Sequence, residues 1–387
     1  MARVLFVSNG HGEEAIAARI ASELAPLAPE LGLDHLALVG EFGHPSEMRD
    51  VGPRRAMPSG GLIAMGNVRN IARDVGGGLV GLTLAQLRFL QGARGEYAAA
   101  VAVGDIYALL MALRADAPTA YVGTAKSVYV APYGPFEERV LRRARAIFVR
   151  DEPTAARLRE RGTPATAPGN VIVDLFATAD DARADDAIAG FAPAIALFPG
   201  SRSGAYDEAR TLARFVRDLA RERPALGAAL SIAPGLDAGR FAATFASDGW
   251  DVRASGDPMR PFDLFAGDRA LVRAWRGEIG PLLSRASAVI GQAGTANEAA
   301  AGAGVPVIAY APPGERANAW YRTRQRGLLG DALLVVSQPD ALAEIGRLLD
   351  DPKRRAAMGA AGRERMGAPG GARAIAQTIA ALARGDR

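Results

Sequence analysis

Short runs of alanine, valine, isoleucine and leucine alternate with amphipathic stretches from one end of the chain to the other. Uninterrupted apolar runs suit strands buried on both faces, and apolar positions recurring at helical spacing between them suit helices laid over a sheet. The pattern therefore predicts successive βα units building parallel sheets. Two series are visible. In the first, residues 3–7, 35–39, 98–103, 119–122 and 146–149 read as strands, with helices over 14–25, 68–90, 106–114 and 153–161. In the second, 195–198, 228–233, 270–272, 288–290, 307–310 and 333–336 read as strands, and helical patterns over 340–349 and 371–384 finish the chain.

Between the series, residues 176–193 are polar, acidic and poor in large apolar side chains, the composition of a linker. Residues 255–267 hold two prolines and two glycines and read as a surface excursion within the second series. The predicted organisation is an N-terminal domain over 1–175, a linker over 176–193, a C-terminal domain over 194–370, and a C-terminal helix over 371–387 free to pack back on the N-domain. A length of 387 residues agrees with two domains, each of about 150 to 200 residues. Two such sheets on one chain place ligands at the carboxyl ends of strands and usually make a cleft.

Composition narrows this picture without redirecting it. With 49% hydrophobic residues, 23% charged residues and 45 glycines, the chain fits a folded α/β protein with many tight turns. It has no cysteine, which excludes disulfides and cysteine-ligated zinc, and its three histidines, His11, His35 and His44, offer little for a metal site. Chemistry without metal or cofactor is expected. Met1 to Ser8 reads as a buried strand, not as a basic segment leading into a long apolar core, so no signal peptide and a cytoplasmic protein are expected. The net charge is +4 and the pI about 9.6. GC-rich coding accounts for the abundance of arginine, alanine and glycine. A modest basic excess also suits diphosphates or anionic lipid, and no interleaving of basic and aromatic residues points to nucleic acid.

Candidate chemistry gathers at two strand ends of the second series. The run Ile195-Ala-Leu-Phe-Pro-Gly-Ser-Arg202 leads into a turn of Gly200, Ser201 and Arg202. Amides in such a turn, with a guanidinium beside them, form a concave anion site; an ordinary loop with a solvated arginine is the alternative. The run Ala288-Val-Ile-Gly-Gln-Ala-Gly-Thr-Ala-Asn-Glu298 ends another strand and opens a helix of small residues. Amides near Gly294 and Thr295 can then face phosphate oxygens. Glu298, about one turn in, is placed to take the hydroxyls of a ribose or, more simply, to stabilise the helix dipole.

Leu197-Phe-Pro-Gly-Ser-Arg202, then Ala293-Gly-Thr-Ala-Asn-Glu298 continuing to Gly304-Val-Pro-Val-Ile-Ala-Tyr310, resembles the C-terminal domain of lipid-A-disaccharide synthase and its related proteins. More loosely, it is similar to the peptidoglycan N-acetylglucosaminyltransferase and the UDP-N-acetylglucosamine 2-epimerases. Order and spacing agree over nearly the whole chain, including Gly169-Asn170 and residues 65–90. The resemblance implies the GT-B architecture: α/β, with two Rossmann-like parallel-sheet domains facing across a cleft. It also implies a UDP-sugar donor held by Gly200, Ser201, Arg202, Gly294, Thr295 and Glu298, with uracil recognised by main-chain groups near Ile279. In the synthase pattern the acidic residue lies one position later, where this chain has Ala299.

In the first series, Val7-Ser-Asn-Gly-His-Gly-Glu-Glu14 resembles the glycine-rich loop of a GT-B acceptor domain. That implies acceptor contacts at Asn9, Gly10 and Gly12, and a His11 that moves a proton or binds a sugar hydroxyl; a helix-start residue satisfying local amides is the alternative. The loop is not a dinucleotide fingerprint, because the third glycine is missing. Gly104-Asp105 ends a central strand, and the synthase family has an aspartate proposed as base near this point, at a spacing that differs by one residue. Asp105 is thus the matching candidate for proton abstraction, with a helix N-cap as the alternative. Residues 61–90 are apolar, charge-poor and broken by glycine. A core-facing helix and an apolar face dipping into a bilayer both fit, and the resemblance favours weak peripheral contact with the inner face of the membrane.

The resemblance as a whole implies an inverting, metal-independent hexosyltransferase moving a sugar, an N-acetylglucosamine derivative, from UDP to a lipid or glycolipid hydroxyl. A UDP-N-acetylglucosamine 2-epimerase and a catalytically silent nucleotide-sugar-binding protein are the competing classes. Sparse histidines and the lack of a matching double glutamate argue against the epimerase.

Overall fold

The structure, a computed structural model, describes residues 2–39, 47–55, 78–176, 182–201, 204–311 and 316–386. The chain divides into two compact units, Met1–Leu175 with Pro369–Arg387, and Phe176–Ala368.

In the first unit the described strands are β1 (Arg3–Ser8), β2 (Gly32–Ala37), β3 (Arg49–Asp50), β4 (Ala99–Gly104), β5 (Thr119–Gly123), β6 (Ala146–Val149) and β7 (Ala165–Thr166). Their order is β3-β2-β1-β4-β5-β6-β7, and each neighbouring pair is parallel. Val4, Leu5, Phe6 and Val7 are all buried, as are Ala99 through Val103, which is why these strands read as continuous apolar runs. Leu5, Val7, Leu36 and Ala102 share a core with Leu109, Tyr121 and Leu141. Helix His11–Leu27 contacts β1 and β4 and runs against the closing helix Gly371–Arg384. Ile16, Ile20 and Leu24 repeat at helical spacing on the one, Ile375 and Ile379 on the other, and all five are buried.

The second unit contains β8 (Ala194–Phe198), β9 (Gly227–Ser231), β10 (Asp251–Asp257), β11 (Arg260–Ala266), β12 (Arg269–Trp275), β13 (Ala288–Gly291), β14 (Val307–Ala311) and β15 (Leu333–Ser337). The order is β10-β11-β12-β9-β8-β13-β14-β15, parallel from β12 to β15 and antiparallel along β10-β11-β12. Residues 255–267 are therefore not a surface excursion. They supply most of a two-turn ribbon at the sheet edge, in which Phe262 and Leu264 alternate into the core. Likewise the acidic stretch 176–193 is not wholly open chain. It includes helix Ala182–Ile188, and Ala187 and Ile188 are buried in a cluster with Trp275 and Leu282. Of the helix expected over 68–90, the part from Leu79 onward is seen as Leu79–Gly92, and residues 68–77 lie outside the described residues. Among the described residues no helix is long and apolar enough to cross a membrane.

The closing helix is fastened by a buried carboxylate. Asp174 accepts the Gly370 amide at Oδ1 (2.5 Å) and the Ala372 amide at Oδ2 (2.7 Å), satisfying donors that a helix start leaves over. Asp174→Ala is expected to lower the stability of the first unit by about 1–2 kcal/mol, read from urea denaturation.

Candidate functional site

In the second unit the chain passes from β8 to β9 on one side and later returns to β13 on the other, so strand order reverses between β8 and β13. Such a reversal opens a crevice at the carboxyl ends of the strands. The Gln292 amide donates to the Phe198 carbonyl at 2.8 Å, carrying the ladder one residue past β13, so the turns after β8 and β13 begin side by side. Neighbouring strands lie about 4.8 Å apart, which puts the loop following β12 about 10 Å along the same edge from β8.

Gly200 turns the chain at φ +108°, a region that favours glycine. It is half-buried and Ser201 is exposed; Arg202 lies outside the described residues. After β13, Gly294 is the N-cap of helix Thr295–Ala303, and Glu298 lies in its first turn. Gly294, Thr295 and Glu298 are all half-buried. Ile279 is buried at the N-cap of the short helix Gly280–Leu283. The preceding loop wraps around Trp275, whose Nε1 donates to the Glu278 carbonyl at 2.8 Å, so this tryptophan packs and shapes the loop.

Behind the β13 turn lies a buried polar network that the motifs did not announce. Asn297 is 0% exposed, and its Nδ2 donates to the Gly291 carbonyl at 3.1 Å and to Gln325 Oε1 at 3.4 Å. Gln325 Nε2 donates to the carbonyls of Ala293 (2.9 Å) and Gly294 (3.4 Å). Arg322 donates from Nη1 to Gln325 Oε1 (2.9 Å) and from Nη2 to the Gln292 carbonyl (3.1 Å) and side-chain oxygen. Gln292 Nε2 in turn donates to the Tyr310 carbonyl at 3.0 Å, and the Tyr310 hydroxyl donates to Glu208. Burial pulls the Arg322 guanidinium below its ordinary value. Burial, then the Glu208 charge, pushes the Tyr310 hydroxyl up, so it stays protonated as a donor. The available signal was the pair Arg322 and Gln325 at helical spacing on helix Arg316–Leu329, polar residues on a face that turns inward.

In the first unit the reversal falls between β1 and β4, and their ends bring Asn9 and Asp105 together: Asn9 Nδ2 donates to Asp105 Oδ2 at 3.4 Å. Asp105 Oδ1 accepts the amides of Tyr107 (3.0 Å) and Ala108 (3.2 Å). One oxygen thus caps the helix Ile106–Ala112, while the other faces Asn9. Gly10, at φ +98°, is the N-cap of His11–Leu27, and Gly12 is exposed; the His11 side chain lies outside the described residues. The motif reading passed over Glu13. A Cβ on Gly104 would sit 3.1 Å from Glu13 Cγ, and Thr124 Oγ1 donates to Glu13 Oε1 at 3.5 Å, so Glu13 extends over the ends of β4 and β5. Tyr121, its hydroxyl pushed up chiefly by burial, donates to the Gly104 carbonyl at 2.9 Å. Just before Asn9, Ser8 Oγ lies 2.8 Å from Nε2 of the buried His35. Within the 61–90 stretch, Leu82, Gln86 and Leu90 of the described helix are buried, whereas Val80 and Leu84 are 56% and 49% exposed.

A cavity of about 450 Å³ lined by Arg260, Arg269, Arg273, Asp263 and Phe191 adjoins the amino ends of β8 and β9, the edge opposite these turns.

No family profile matches the sequence, and no curated protein is similar to it. Solved structures do match, along almost the whole chain. UDP-GlcNAc 2-epimerase from Neisseria meningitidis bound to UDP-GlcNAc is 13% identical, with a TM-score of 0.54 over 97% of this chain and 99% of that one. MurG from Acinetobacter baumannii is 14% identical, with a TM-score of 0.54 over 98% and 99%. A ugt transferase from Siraitia grosvenorii in complex with UDP is 13% identical, with a TM-score of 0.56 over 99% and 100%. The fold is thus that of the GT-B proteins, two α/β units each built on a parallel-strand sheet.

The tightness of the β13 turn is open to test. A Cβ on Gly291 would come within 1.9 Å of Asn297 Oδ1. Gly291→Ala is expected to cost about 1–3 kcal/mol of unfolding free energy, measured by chemical denaturation.

Proposed function

We propose that the protein is an inverting, metal-independent glycosyltransferase, lipid-A-disaccharide synthase-like, that moves an N-acetylglucosamine derivative from UDP to a hydroxyl of a lipid or glycolipid. The observation that carries this reading is the Gln292 to Phe198 hydrogen bond at 2.8 Å, which sets two anion-suited turns side by side at a reversal of strand order. In this reading Gly200, Ser201, Arg202, Gly294 and Thr295 hold the diphosphate, main-chain groups near Ile279 hold the uracil, and Glu298 takes the ribose. Asn9, Gly10 and Gly12 line the acceptor. The acceptor oxygen attacks the anomeric carbon, its proton passes to Asp105, with His11 as rival base, and UDP leaves with the electrons of the broken bond. Amides and guanidinium stabilise the departing charge in place of a metal. Val80 and Leu84, exposed on one helix, support weak contact with the cytoplasmic face of a membrane.

Incubation with UDP-N-acetylglucosamine, with and without a lipid extract, tests the reading. UDP release that requires lipid supports it. Lipid-independent release with N-acetylmannosamine identifies an epimerase, and UDP binding without turnover a silent binding protein. Arg202→Ala is expected to abolish UDP binding in titration calorimetry. Asp105→Asn is expected to keep UDP affinity while turnover falls about 10²- to 10⁴-fold; full transfer by this variant removes Asp105 from the role of base.

A further inference from the structure

We infer that Arg322 and Gln325 are positioning residues of the diphosphate site, holding the turn after β13 with its amides presented outward and a positive charge behind them. The inference rests on the proposed role of Gly294 and Thr295 as phosphate ligands. The four successive carbonyls of Gly291, Gln292, Ala293 and Gly294 each accept from a side chain: Asn297, Arg322 and, for the last two, Gln325. In a trans peptide the carbonyl and the following amide point in opposite directions. Drawing the carbonyls of Gln292, Ala293 and Gly294 inward therefore turns the amides of Ala293, Gly294 and Thr295 the other way. Among the described residues these three amides have no acceptor.

The second observation is the state of Arg322 itself. It is 5% exposed, its Nε is buried without an acceptor, and among the described residues no carboxylate pairs with it directly. The carboxylate of Glu208 accepts from the Tyr310 hydroxyl at the edge of this network, and its charge favours the charged form of the guanidinium. A buried cation bonded to neutral oxygens is costly unless an anion answers it. A diphosphate bound on the outward amides adds negative charge on the other side of the turn. A ligand that lacks phosphate brings no such charge.

The test compares UDP with uridine as ligands of the full chain. Gln325→Glu keeps an acceptor for Arg322, gives it a counter-charge and removes the donor to the two carbonyls. UDP affinity is expected to fall about 10- to 100-fold with uridine affinity unchanged. Arg322→Lys, which keeps the charge and loses the planar fork, is expected to lose part of the same preference. It carries the comparison if Gln325→Glu does not fold. A parallel loss of UDP and uridine binding, or no change in either, overturns the inference by showing a role in folding alone or none. A wild-type protein that binds no UDP overturns the proposed function itself, a different result from a variant that binds UDP and uridine as the wild type does.

Discussion

The amide of Gln292 meets the carbonyl of Phe198 one step beyond the end of β13, and the shape of the second unit's strand-end edge follows from that contact. It holds the chain flat against β8 through Gly291, so the turn that follows must form abruptly. An abrupt turn cannot pair its own carbonyls along the ladder, and buried carbonyls need donors. Asn297, Arg322 and Gln325 supply them, and the close approach of Asn297 leaves no room for a side chain at residue 291. The first unit meets the same constraint differently. Ser8 pairs in register with Val103, β4 runs one residue further, and the Asp105 carboxylate, not a distant helix, satisfies the amides of the next turn.

Strands such as Val4 to Val7 and Ile195 to Phe198 were legible because burial on both faces leaves an unbroken apolar run. The ribbon over 255–267 was not, since Pro258, Pro261, Gly256 and Gly267 hide the alternation of Phe262 and Leu264. The helix Ala182–Ile188 escaped for a related reason: two apolar residues, Ala187 and Ile188, suffice to anchor it within an acidic run. At the candidate sites the glycines, Thr295 and Asp105 were legible because turn and cap chemistry is local. The partners of the turn were not. Arg322 lies 30 residues from Gln292, and a polar contact over that separation leaves no periodic trace. Asp105 also shows why two readings of one carboxylate need not compete, since its oxygens have separate partners.

The two units each carry a parallel-strand sheet but differ in the polar groups at the strand ends. At the strand ends of the first unit two carboxylates, Asp105 beside Asn9 and Glu13 beside Thr124, stand with the buried Arg150, whose Nη1 donates to the Thr124 carbonyl at 3.1 Å. Lys126, the nearest cation in sequence after β5, is taken by Glu137 at 2.6 Å. Under the proposed function the two carboxylates suit a ligand that donates hydrogen bonds, as a hydroxyl does. At the strand ends of the second unit the carbonyls are turned inward and a guanidinium sits behind them. Under the proposed function that edge takes the anionic diphosphate, and Glu298 beside it takes the ribose hydroxyls. Under the proposed function, exchanging the ligands would set phosphate against the carboxylates of the first unit. The proposed assignment of donor and acceptor to the two units therefore draws on local charge as well as on the order of motifs along the chain.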